Sequence, residues 1–283
     1  MSSSSPDAEI AKLGYSIYDK DANRQMLLIR EAFKKAAKVL VYRANKGTQA
    51  KKTSAPVTAT ARYGGSRGNK LSFSVVANPV GGFDVLVNLD GSKVAEYNGV
   101  KTADELAAVE NEYIIFSGTG NLEAVAGVNL EGGADTKAEN EDVTAFLDSI
   151  EGVKFNTLCF PVTDTGLQTA AKTKIKYIRE NIGKGVQVVM PDTEAGDYEG
   201  VISVTNSVKV DGDKLSHSEA CAWVAAATAA AKNTQSNTYV EYEGAEEVVD
   251  PKTHEEAVAA IDNGEFFFSV SEAGAVVVEY DIN

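Results

Sequence analysis

Two histidines and two cysteines are the residues of this chain best suited to catalysis or metal binding, and neither pair is spaced for it. His217, in Leu-Ser-His-Ser-Glu, and His254, in Lys-Thr-His-Glu-Glu, each follow a helix-capping Ser or Thr, so each imidazole is expected at the first helical position, facing solvent. No GxSxG elbow accompanies them, which argues against a Ser-His-Asp hydrolase. Cys159 and Cys221 have no CxxC spacing and are expected to be reduced, packed thiols. Glu246-Glu247 and Glu255-Glu256 are sequence neighbours whose side chains diverge, so neither pair forms an acid/base dyad. The glycine-rich run 64–70 fits neither the GxxxxGK nor the GxGxxG phosphate loop and joins two strands, so it reads as a turn. The acidic stretches 192–199 and 211–213 lack the ligand series of a calcium loop. No catalytic, cofactor-binding or metal-binding residue is assigned.

Charge is more informative than chemistry here. The 283 residues carry a net charge of -14, which argues against nucleic-acid binding, but residues 1–62 sum to +7 and residues 63–283 to -21. Such a chain can orient copies of itself, basic face to acidic face. Lys34, Lys35 and Lys38 are the natural candidates on the basic side. The longest uncharged apolar stretch, 221–231, is about half of the roughly 20 residues a bilayer-spanning helix needs, so no membrane insertion is expected. The amino terminus has neither the basic start nor the apolar run of a secretory signal, and a cytosolic chain is expected.

The elements that would carry these residues follow from periodicity. Apolar residues recur at helical spacing over 23–38, and Val39-Leu40-Val41-Tyr42 reads as a buried strand. The polar stretch 45–54 then breaks the pattern. Short β-rich runs follow at 57–62, 71–77, 83–89, 93–97 and 112–116, with a hairpin signal at Asp90-Gly91 and a helical turn near 102–108. Beyond residue 140 helices (142–150, 166–182, 217–232, 254–262) alternate with strands (156–160, 186–190, 200–204, 247–249, 265–270, 275–280). Capping boxes, Ser216 with Glu219 and Thr253 with Glu256, start two of these helices. Strands apolar on both faces imply a mostly parallel sheet with helices on both faces. The expected organisation is an α/β domain (1–49 and 133–283) interrupted by a small β-sandwich or barrel (50–132).

Read in order, segments 29–43, 61–69 (Ala-Arg-Tyr-Gly-Gly-Ser-Arg-Gly-Asn), 83–87, 155–158, 198–202, 222–229 (Ala-Trp-Val-Ala-Ala-Ala-Thr-Ala), 236–239 and the terminal Asp-Ile-Asn resemble the tail sheath proteins of contractile-tailed phages. The resemblance is strongest to those of prophages and phage-tail-like bacteriocins of Gram-positive bacteria, and it covers nearly the whole chain from about Lys12. It implies a subunit, not an enzyme, that stacks helically around a tail tube and contracts to drive the tube through a cell envelope. It also implies an α/β domain that is subtilisin-like by fold only, and a location in the virion tail after assembly in the bacterial host cytoplasm. The implied partners are copies of itself and, in the full-length form, the tube protein and the baseplate. Family members carry terminal arms outside the matched region, so the resemblance implies a core truncated at both ends. Asp281, Ile282 and Asn283, at the carboxyl edge of that core, join the three lysines as candidate subunit contacts.

Two other readings come from other classes. An α/β hydrolase or ligand-binding protein would use the crevice at the strand carboxyl ends. Carbohydrate adhesion would need stacking aromatics, for which Tyr63, Phe73, Phe83 and Tyr97 are the candidates, and core packing accounts for these better.

Overall fold

A computed structural model of the chain describes residues 14–18, 24, 26–232 and 234–281. Residues 43–142 form one compact unit; residues 15–42 and 143–283 form the other.

In the first unit, alternation of apolar and polar residues dictates strands with one dry face. Strands β1 (Lys51–Ser54), β2 (Val57–Ala61), β3 (Leu71–Ala77), β4 (Phe83–Leu89) and β5 (Ser92–Val100) are followed by a short helix over Ala103–Ala107 and by β6 (Ile114–Gly118) and β7 (Val125–Asn129). They form two antiparallel sheets, β1-β2-β6 and β5-β4-β3-β7. Opposed residues in register, Leu71 with Leu89, Phe73 with Val87 and Val75 with Val85, point inward and are buried. Phe73 meets Phe116 of the other sheet edge-on, centroids 5.8 Å apart. The β4–β5 turn is the expected two-residue hairpin, with positive φ at both Asp90 (51°) and Gly91 (78°). The glycine-rich run 64–70 is a turn as expected, closing through a 3-10 segment at Ser66–Lys70.

The polar stretch at 45–54 is a paired stalk. Thr48 N–H donates to the Ala134 carbonyl at 2.8 Å, and Lys51 N–H donates to the Glu131 carbonyl at 2.9 Å. A Cβ on Gly133 would lie 2.5 Å from the Gly65 carbonyl oxygen, so glycine is required for the loops to approach there.

The second unit contains α1 (Met26–Phe33), and the short helix of the first unit is α2. Then come α3 (Asn140–Ser149), which enters from the first unit, β8 (Thr157–Cys159), α4 (Thr165–Glu180), β9 (Gln187–Pro191), β10 (Val201–Val204), β11 (Ser207–Val210), β12 (Asp213–Lys214) and α5 (His217–Ala230). The chain continues through β13 (Ala245–Val249), α6 (His254–Asp262), β14 (Glu265–Phe266), β15 (Phe268–Val270) and β16 (Val276–Val278). The sheet β14-β10-β9-β8 is parallel throughout. Val188 to Pro191 of β9 are buried because both faces of the strand are covered. Val188 and Met190 pack in one cluster with Ala171, Ile175 and Ile178 of α4, while Val189, pointing the other way, packs in a second with Cys221, Trp223 and Val224 of α5. Alanine dominates α5, whose residues 220–227 are all buried.

Two sequence expectations need correction. The mostly parallel sheet is confined to those four strands; β12-β11-β13 and β15-β16 are antiparallel. For β11–β12 and β15–β16 the reason is connection length, because Asp211-Gly212 joins the first pair and residues 271–275 the second, too few for a parallel crossover. Secondly, 39–42 is no buried strand. It is irregular, with Leu40, Val41 and Tyr42 exposed at 53%, 46% and 50%.

Candidate subunit interface

The predicted basic face begins on α1, which ends at Phe33 rather than at residue 38. Its pivot is Glu31, fully buried. An uncompensated carboxylate there would be costly, and three donors satisfy it: Arg30 Nε at 3.1 Å, Lys34 Nζ at 2.7 Å and the Tyr242 hydroxyl at 2.8 Å. Lys34 also donates to the Glu243 carbonyl at 3.0 Å and lies 5.2 Å from the centroid of the Tyr242 ring. Lys35 pairs with the Glu243 carboxylate and lies 5.4 Å from the Trp223 ring centroid. Beneath both lysines Trp223 and Tyr242 stack at 4.4 Å and 12°, and the Trp223 Nε1–H donates to Glu243 at 3.3 Å.

Two of the three predicted docking lysines are therefore spent inside their own unit, each with its side chain only 20% exposed. The hydrophobic spacing that suggested a helix could not show this, because Glu243, which engages both lysines, lies more than 200 residues away. Lys38 is exposed. Asp281 is also used internally: its carboxylate accepts from the Asn237 N–H at 2.7 Å, and its own N–H donates to Thr238 Oγ1 at 3.1 Å. Ile282 and Asn283 lie outside the described residues.

Electrostatics around this cluster follow from the same contacts. Burial pushes the Glu243 carboxyl up, but Lys35, its own backbone N–H and Trp223 outweigh that and hold it below the usual carboxylate range. Burial, reinforced by Glu31, pushes the Tyr242 phenol far up, so it remains a donor. Glu219 resists its own burial in the same way, through Arg24 (2.5 Å) and the Ser216 N–H and hydroxyl, and completes the predicted capping box. The Thr253–Glu256 box is present as well.

The hydrolase alternative can be examined at the carboxyl end of β9. His217 is not simply solvent-facing. Its Nδ1 lies 2.7 and 2.8 Å from the two Asp192 carboxylate oxygens, and its Nε2 lies 4.0 Å from Asp250. Sequence reading missed this Asp192–His217 pair, which is separated by 25 residues. Among the described residues the polar partners of both ring nitrogens are carboxylates, where a serine hydrolase would place its nucleophile against the second nitrogen. Among the same residues no group of three or more His, Cys, Asp or Glu side chains is disposed to hold a metal ion, and no helix is long and apolar enough to cross a membrane. Of the aromatics considered for sugar stacking, Phe73 is fully buried and Phe83 and Tyr97 pack on the sandwich core, whereas Tyr63 is 53% exposed and so is not core.

This two-unit build, an antiparallel β-sandwich and an α/β unit, is shared with solved sheath tail proteins. The β-sandwich domain family of phage tail sheath proteins matches residues 45–135, and the family of their central domain matches residues 136–283. The chain belongs to the phage tail sheath protein family. It is 38% identical to the phage-like element PBSX protein XkdK of Bacillus subtilis (strain 168) over 96% of this chain and 62% of that one. The sheath tail protein Lin1278 from Listeria innocua superposes with a TM-score of 0.90 at 38% identity, over 99% of this chain and 64% of that one. For the sheath tail protein from Desulfitobacterium hafniense the values are 0.87 and 38%, over 100% and 66%. The chain thus spans about 62% of the length of the curated relatives it matches over most of its own length.

Proposed function

We propose that the chain is the body of a contractile sheath subunit, which polymerises helically with its own copies around a tail tube and shortens to drive the tube through a cell envelope. The observation that carries this reading is the match of both domain families, in order and almost without a gap, over residues 45–283. Its partners on this reading are other copies, the tube protein and the baseplate, and its place is the virion tail, after assembly in the host cytoplasm. It neither catalyses a reaction nor binds nucleic acid. On this reading the α/β unit is subtilisin-like by fold only, and residues 50–132 are a domain inserted into it. The donors to buried Glu31 and the Arg24–Glu219 pair tie distant segments of the α/β unit together, which supports a body that rotates as one piece between two lattice packings.

Electron microscopy of the protein, expressed with all coding sequence contiguous with it, tests this reading. Helical tubes are expected; dispersed particles at every concentration and ionic strength would refute it. Serine-hydrolase probes should leave the protein unlabelled, and a label lost on His217→Ala would reinstate the hydrolase.

A further inference from the structure

Cys159 and Cys221 are the only thiols of the chain, and both are free. Distant in sequence, they are brought by the fold to one end of one layer. Cys159 is the last residue of β8, and its register partner in the parallel sheet is Val189 of β9. Register partners on neighbouring strands point to the same face, and Val189 points toward α5. Val189 belongs to the cluster that holds Cys221, Trp223 and Val224, and Cys159 packs against that same cluster. The height of Cys221 above the sheet's end follows from where α5 starts. His217, the first residue of α5, bonds Asp192, which directly follows β9. One turn on, about 6 Å along the helix axis, Cys221 stands over the last residues of β9, level with the end of β8. Helix α5 packs on both strands. Electrostatics agree with this placement: burial pushes the Cys221 thiol well up, and Cys159 and Asp192 push it further.

We infer that Cys159 and Cys221 are a disulfide-forming pair, which a two-electron oxidant closes into a bond stapling β8 to α5. The roles of the two sulfurs differ with their exposure. Cys159 is half-buried and is the one an oxidant reaches; fully buried Cys221 is the resolving thiol. With the diazene diamide as oxidant, the Cys159 thiolate adds to one nitrogen of the N=N bond. The Cys221 sulfur then displaces that nitrogen and forms the S–S bond. Two protons and two electrons leave the thiols and are carried off on the hydrazine. Because burial disfavours both thiolates, closure is slow. The closed loop contains α4, β9, β10, β11 and β12, so the bond restricts the unfolded chain and stabilises the α/β unit. The chemistry does not depend on the sheath reading. On that reading, release from the reducing host cytoplasm into an oxidising medium is the moment of closure.

The test treats the folded full chain with diamide, alkylates the remaining thiols after denaturation and maps the cysteine peptides by mass spectrometry. The expected product is a single chain lighter by two hydrogens, with neither cysteine alkylated and the Cys159 and Cys221 peptides joined. Its α/β transition in calorimetry should rise by roughly 5–10 °C and return on adding dithiothreitol, with the sandwich transition unmoved. Cys159→Ser, a near-isosteric change at the half-buried position, should show no rise with diamide. Should that variant fail to fold, the peptide map of the unsubstituted protein still decides. Two alkylated cysteines after oxidation, an adduct confined to Cys159, or dimers joined through Cys159 would overturn the pairing, since each means that Cys221 cannot reach its partner. A mapped Cys159–Cys221 bond with no rise in the α/β transition would overturn the staple.

Discussion

The sandwich unit and the α/β unit are held together by different means. In the sandwich, stability comes from one core between two antiparallel sheets, and most of its strand pairing links hairpin neighbours. In the α/β unit, two cores flank β9, and polar contacts reach across the sequence to tie α1 and its flanking residues to the core on the α5 side: the ion pairs Arg24–Glu219 and Lys35–Glu243 and the hydrogen bond from Tyr242 to Glu31. Local pattern builds the first; distant polar pairing completes the second. The predictions below are ways to separate the two.

Trp223→Ala should have the largest effect. It removes a fully buried ring stacked on Tyr242, a loss of about 3–5 kcal/mol, and calorimetry should show the α/β transition falling while the sandwich transition stays in place. Glu31→Ala should cost about 2–4 kcal/mol in the same unit. It strips Lys34, Arg30 and the Tyr242 hydroxyl of their shared acceptor, although the two cations can still reach water. Gly133→Ala is the converse test, lowering the sandwich transition by about 1–3 kcal/mol through the clash with the Gly65 carbonyl and sparing the other.

Acid should also distinguish the units. Several α/β carboxyls are held below their usual range. For Glu219, Glu243 and Glu265, burial is outweighed by donors; Glu246 is held by Lys209 and the Gly212 N–H, and Glu256 by the Thr253 N–H and hydroxyl. Among the described residues of the sandwich only Asp135, bonded by Ser66, is so held. A lowered folded-state value stabilises at neutral pH and loses that contribution as pH falls through the carboxylate range. The α/β transition should therefore drop faster than the sandwich transition as pH falls below about 5, with no difference between neutral pH and that point. The smallest effect is chemical. Burial pushes the thiol of fully buried Cys221 well up, so a thiol reagent should label it only once the α/β unit unfolds, whereas half-buried Cys159, its thiol pushed up to about 12, should react slowly in the folded protein.

Legibility in the sequence divides along the same line. Alternation and the Asp90-Gly91 turn made most of the sandwich strands readable, and the capping boxes located α5 and α6. Strands β1, β7, β11 and β12 escaped: Lys-Lys-Thr-Ser and Asp-Lys are polar, and their pairing depends on partners elsewhere. Val39 to Tyr42 misled because an apolar run reports a wish for burial without naming what buries it. The lysines misled because charge in a sequence carries no sign of whether its counter-charge lies on the same chain or on another.

The most direct test of the account replaces residues 47–134 by a short Gly/Ser linker, which the hydrogen-bonded approach of Thr48 to Ala134 makes feasible. The predicted result is a variant that unfolds cooperatively at the α/β transition of the intact protein and keeps the emission of buried Trp223. Loss of cooperative unfolding would contradict it and mean that the two units share one core.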